Sequence, residues 1–413
     1  MPHHASRRIR KNRRLRKGSR RRGVITVLVA FLLIPFLGMV AFAIDIAWIV
    51  QSRSDLQNAA DAAALAGAEQ LMSGSVQYSL AGQTQQSSIL STSESSAKTY
   101  AKNFAGYNTA GGVSSLTLND ADVQFGFTNA SNNYTAAPGY AGFPNTVKVT
   151  MRLDSTSNGA LKLFFSPIFG VSSRNLTATA AATIYTGSVV NFNSNSGHNA
   201  AVLPMTLDVN AWNTFLASGV SSDGTTHSSV NGAPQMEVYP SPSGAPGNFG
   251  MLSLDDSSNS ASAIAGWISS GLGASDLATI QSDGLLPVSL SHALWNWKGA
   301  PGFKASDLND LSVGQTFLLP LFEPVDASGG SYQATNKDPG AADPGNGGKG
   351  SNAYYNIIRF VGITITQVDK SSDAYIQPVA MLDSAMVFDS TTVVPAGTTS
   401  QLSTTFTTPK LTQ

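Results

Sequence analysis

Asp256, Ser258 and Ser260 form a D-x-S-x-S run, in which a carboxylate and two hydroxyls at alternate positions offer hard oxygen ligands to magnesium. A full ion site needs further ligands from distant positions, and none can be matched to this run. In so serine-rich a chain it also reads as a polar turn capping a helix over 261–271. The expectation is therefore no metal and no cofactor, with these three residues as the only ligand candidates. His3 and His4 lie in a basic arm, and His198, His227 and His292 stand alone, without metal spacing. No nucleophile elbow, phosphate loop or dinucleotide glycine pattern sits between a strand and a helix. Asp255 and Asp256 are adjacent and imply no cleft. The chain is not expected to be an enzyme, although triads assemble from dispersed positions and an extracytoplasmic enzyme stays as a third reading. Trp295 and Trp297 could stack on a sugar face, whereas Trp267, at helical spacing from Ile264 and Ile268, reads as core.

One acid has more context. Asp45 is the first acidic residue of the chain and closes an uncharged run over 24–44 in which only Thr26 is clearly polar. Acids at membrane depth usually mark function, while one near the interface can simply mark where a span stops. The run, at ~1.5 Å rise per residue, reaches about 31 Å as a helix, the thickness of a hydrocarbon core. Before it, residues 7–22 hold eleven Lys or Arg, which predicts a cytoplasmic N-terminus and a folded part outside the cytoplasm. A cleaved leader is the competing reading, with Ala41-Phe42-Ala43 as its cleavage box. The apolar run exceeds a usual leader core and continues through 46–50, which favours an uncleaved anchor in the inner membrane. Basic arms also attract phosphate, but one that abuts a span is explained by topology and anionic lipid.

The 25 basic and 25 acidic residues cancel overall, yet without the arm 14 face 25, a net of −11. A folded part so acidic excludes nucleic acid as a partner. With no cysteine, disulfides and thiolate metal sites are absent.

Residues 51–72 are dominated by Ala and Leu and contain no Pro, which predicts a helix directly after the span. Leu56, Ala60, Ala63, Gly67 and Leu71 recur at three- and four-residue spacing, with Asp55, Asp61 and Glu69 off that stripe. Small residues in a stripe admit close approach, either by the chain's own sheet or by similar helices in a membrane assembly. Arg22-Gly23 before the span, Asp45 near its end and the run from Leu56 through Asp61 to Gly67 together resemble the N-terminal region of TadG-like proteins of the Tad (tight adherence, Flp pilus) assembly family, TadE/G-like. The likeness continues through Tyr100, Asn103, Asp122, Gly126, Asn145, Val149 and the run from Leu163 to Gly170, covering roughly the first 185 residues. Some relatives in that family carry von Willebrand A-type domains, whose ion sites share the D-x-S-x-S pattern. Related prepilins carry a glutamate five residues past a cleaved glycine; counted from Gly23 that position is Leu28, so the resemblance implies an anchored accessory protein rather than a filament subunit.

Strands are predicted over 122–128, 146–153 and 175–185, the last alternating Thr and Ala. Residues 73–96, rich in Ser and Gln, read as linker or weak helix, with a helix resuming over 94–105. The fold class is α+β: one N-terminal transmembrane helix continues into a long Ala-rich helix on an antiparallel sheet, and a second, mainly β unit follows. The divisions are 1–22 (arm), 23–50 (span), 51–187 (membrane-proximal domain), 188–200 (linker), 201–389 (second unit, with a surface loop over 326–352) and 390–413, a Thr/Ser-rich tail that is disordered or at most an edge extension. In the second unit strands are predicted near 201–207, 249–254, 316–321, 356–367 and 375–388, and helices near 261–271, 274–282 and 307–311. The resemblance implies a single-pass envelope protein that helps build or anchor an adhesive pilus or secretion apparatus as a scaffold. Its partners would be membrane lipid and assembly membrane proteins, with self-association as an option. Asp45, Leu56, Ala60, Ala63 and Gly67 carry helix packing and assembly. The alternative is a cell-surface adhesin or glycan-binding module on a membrane anchor.

Overall fold

The structure, a computed structural model, describes residues 22–81, 83–139, 142–230, 232–239, 249–252, 254, 261–282, 295–298, 310–322, 354–369, 373–393 and 402–412. The arm over 1–21, the loop over 326–352 and the ligand candidates Asp256, Ser258 and Ser260 lie outside the described residues.

One helix, α1 (Arg22–Leu80), runs unbroken for 59 residues from the apolar span into the folded part. Pro35 lies inside it without ending it, as membrane helices tolerate. The two halves of α1 have opposite surroundings. Ile25, Phe31, Ile34 and Met39 project from the first half with no protein covering them, whereas Leu56, Ala60, Ala63 and Leu71 of the second are fully buried. A core helix of a soluble protein would bury its most apolar window; here none of that window is buried. Among the described residues this is the one helix long and apolar enough to cross a membrane.

The next helix, α2 (Gln83–Gly106), packs along α1. The segment read as linker or weak helix is thus helical almost throughout. Its serines do not break the helices because their hydroxyls bond back one turn: Ser75 Oγ donates to the Met72 carbonyl at 2.7 Å, Ser79 Oγ to Ser75 at 2.9 Å and Ser93 Oγ to Ile89 at 2.7 Å. Gly74 is what lets the two helices meet, since a Cβ there would collide with Ser93 and Phe143.

Five strands, β1 (Val123–Thr128), β2 (Tyr134–Ala136), β3 (Thr146–Leu153), β4 (Leu161–Lys162) and β5 (Ser173–Arg174), are followed by β6 (Leu176–Thr183). In β3, Val147, Val149, Met151 and Leu153 are buried beneath α1 while Lys148, Thr150 and Arg152 are only partly covered, the period-two pattern of a half-buried strand. β3 and β6 pair antiparallel along their whole length, from Thr146 opposite Thr183 to Leu153 opposite Leu176. β4 and β5 form a separate small hairpin.

β7 (Tyr185–Phe192) runs through the first half of the expected linker and pairs with β16 (Met386–Val393) far along the chain. Between them lie β8 (Met205–Asp208), α3 (Val209–Ser218), β9 (His227–Ser228), β10 (Pro234–Tyr239), β11 (Phe249–Met251), α4 (Ala261–Ser270), α5 (Ala274–Ser282), β12 (Trp295–Lys298), β13 (Thr316–Phe322), β14 (Tyr354–Val368) and β15 (Ala374–Pro378). They build a mixed sheet in the order β11-β8-β13-β14-β15-β10-β9, with β12 also on β14; β8 and β13 run parallel and the other pairs antiparallel. The single strand expected over 375–388 is two: past Pro378 the Val379 N–H still bonds Gly362, but the Met381 N–H goes to Thr404 and a turn at Asp383 redirects the chain. α3 was not legible as a helix; Asp208 caps it by accepting from the Asn210 N–H at 2.7 Å.

Of the C-terminal tail, residues 402–412 pack onto the sheet. β17 (Lys410–Leu411) adds an edge to β6, giving the sheet order β17-β6-β3-β1-β2, and Thr404 and Phe406 are fully buried. A line of hydroxyls stitches this sheet together: Thr146 bonds Thr128 at 2.7 Å and Thr183 at 2.8 Å, and Thr183 bonds Thr412 at 3.1 Å.

Candidate functional site

Asp45 is 2 % exposed although it sits on the bare half of α1. What covers it is the tip of the β4–β5 hairpin. Oδ1 accepts from the Phe164 N–H at 2.8 Å and Oδ2 from the Phe165 N–H at 3.1 Å and the Ser166 N–H at 2.6 Å. The Ser166 hydroxyl donates to Oδ2 at 2.6 Å. These amides point one way because a 3₁₀ turn, Ser166–Phe169, begins there, with Pro167 fixing the φ of its second residue and Gly170 closing it at φ 86°. The first N–H groups of any helical turn have no partner within it, and an acceptor-only carboxylate satisfies them. Above and below this clasp aromatic rings hold the hairpin to α1. Trp48 lies against Phe164 at 5.7 Å and donates its indole N–H to the Lys162 carbonyl at 3.2 Å; Phe42 lies against Phe169 at 6.0 Å.

The other assembly residues lie elsewhere. Leu56, Ala60 and Ala63 are fully buried, and a Cβ on Gly67 would stand 3.1 Å from Val147 and 3.3 Å from the Ala97 carbonyl. The small-residue stripe is occupied by the chain's own β3, β6 and α2, so close approach happens within the molecule and leaves no stripe for a neighbouring helix. The exposed apolar row on the helical layer is instead Tyr100, Phe104 and Tyr107 of α2 and the turn after it.

His227, read as isolated, is not. The β9–β10 ladder brings Glu237 beside it, and a turn returns Asp223: Nε2 of His227 is 3.0 Å from Asp223 Oδ2 and 3.6 Å from Glu237 Oε2. The three ligand atoms lie within 4.8 Å of one another, close enough to share one divalent cation. Burial, then the carboxylates of Asp373 and Asp223, push the Glu237 carboxyl up to about 7. Burial opposes ionisation of Asp223 as well, but Thr225 and His227 bond its charged form and hold it below the usual range. Sequence spacing held no sign of this cluster, because strand register rather than a local motif assembles it. Trp267, Ile264 and Ile268 are core, as their spacing predicts.

The fold and the clasp define a class: an α+β protein carried on a single candidate membrane-spanning helix that runs without a joint into its core. Residues 23–70 match the Tad family model, described as Flp pilus-assembly TadE/G-like, so the chain carries a TadE/G-like N-terminal segment. The match covers the span, Asp45 and the stripe as far as Gly67, and ends within α1. No curated protein and no solved structure matches the chain.

Proposed function

We propose that the protein is a non-enzymatic scaffold of the inner membrane that takes part in assembling or anchoring a Tad/Flp-type pilus or the related secretion apparatus. Its N-terminus would be cytoplasmic, by the basic arm, and its folded part would lie outside the cytoplasm. The observation that carries this reading is the continuity of α1 together with the Asp45 clasp. A scaffold must hold its exterior surfaces at a fixed height and orientation over the membrane, and a helix that is span at one end and core at the other does so. The row Tyr100, Phe104 and Tyr107 offers aromatic anchors of the kind that dominate protein interfaces.

The test is photo-crosslinking in intact piliated cells from a photoreactive phenylalanine analogue placed at Tyr107, which is 78 % exposed. Capture of pilin subunits or pilus-assembly membrane proteins is the expected result. Absence of any such adduct, with the chain present at normal levels, would remove the assembly reading.

A further inference from the structure

We propose that the tip of the 161–174 hairpin is a lipid-binding element that seats in the membrane leaflet facing the folded part of the chain. The anchor would then be a helix and a loop rather than a helix alone; this rests on α1 crossing the membrane.

The surface of the tip is the first observation. Phe164, Ile168, Phe169 and Val171 are 62 %, 79 %, 63 % and 49 % exposed, and no charged residue lies between Lys162 and Arg174. Single exposed apolar residues are ordinary, but four on one short loop form a patch that water does not favour. The second is its place. Phe169 stacks near Phe42, which lies three residues, or about 4.5 Å, deeper into the span than Asp45. Ile46 and Val50 of α1 are also exposed, so the apolar band of the span continues past Asp45 and the loop widens it.

The third is the backbone. A loop enters the apolar region at lower cost where its N–H groups are already partnered. Asp45 takes the N–H groups of Phe164, Phe165 and Ser166; those of Ile168, Gly170 and Val171 bond to Phe165, Pro167 and Ser166 carbonyls at 3.0–3.1 Å, and Pro167 has none to satisfy. The fourth is charge. Lys162 and Arg174 are exposed at the base of the hairpin, the height at which cationic side chains reach phosphate head groups from an apolar insertion. Trp48, bonded to the same hairpin, is the residue type of the membrane interface.

The chain has no cysteine, so a single introduced one carries a nitroxide to one place. The full chain is reconstituted in nanodiscs of phosphatidylethanolamine and phosphatidylglycerol with a label at Ile168→Cys, Phe169→Cys, Leu33→Cys in the span, or Val230→Cys on the aqueous surface. All four side chains are exposed; Phe169→Cys gives up the ring contact to Phe42, so the label at Ile168 is the one read without that loss. Collision with oxygen, which partitions into lipid, is compared with collision with a water-soluble nickel chelate. The lipid assignment predicts an oxygen-to-nickel ratio at Ile168 and Phe169 several-fold above that at Val230 and approaching that at Leu33. A ratio equal to that at Val230 would overturn it. Screening of the tip from both reagents would mean that protein covers it, and would overturn it equally. A low ratio at Leu33 would show instead that the anchor itself had failed.

Discussion

Two carboxyl groups of this chain show how placement decides what an acid does. Asp45, alone in the apolar half of α1, has its oxygens filled by N–H groups and a hydroxyl and acts as a mechanical part. Glu237 lies against other acids, and its carboxyl is pushed up to about 7 by burial and by Asp373 and Asp223. Its folded-state value therefore stands above its ordinary one. The folded chain holds a proton there that the unfolded chain has already released, so Glu237's own contribution to stability is full below its ordinary value and declines as pH rises towards about 7. With screening by nearby solvent, the loss is on the order of 1–3 kcal/mol. Unfolding of the chelator-treated chain monitored at pH 5 and pH 7.5 should show this decline, and Glu237→Gln should flatten it.

At the scale of elements, the sequence was legible wherever periodicity is local. The Thr/Ala alternation in β6 and the stripe from Leu56 to Leu71 marked buried faces: Ala178, Ala180 and Ala182 and the stripe are buried, and Thr183 is buried too, where β17 pairs onto the strand. Pairings between distant segments were not legible. The later part of β7 falls where the chain reads as linker, running into the Asn- and Ser-rich stretch 191–197, because its reason for being a strand, β16, lies near the other end of the chain. The same holds for the clasp: Asp45 and the run Leu163 to Gly170 each stood out, but nothing in either names the other. The stripe carries a prediction of its own. Ala63 is fully buried in the layer where Gly67 meets Val147 and Ala97, so Ala63→Leu overpacks it and should cost about 1–3 kcal/mol. Chemical unfolding in detergent measures it; an unchanged midpoint would mean the stripe is not a packed face.

Across the whole molecule, the charge division and the two-sided character of α1 describe one object: a bare apolar rod that becomes the core helix of an acidic folded part. Its central mechanical claim is that the hairpin is seated on the rod by Asp45. Nitroxides at Val27→Cys and Ile168→Cys test this directly, since Val27 lies about 22 Å along the helix from Phe42, within range of pulsed dipolar spectroscopy. In nanodiscs the chain with Asp45 should give one narrow distance distribution, and Asp45→Ala a broad one. A distribution equally broad in both, or equally narrow in both, would contradict the clasp.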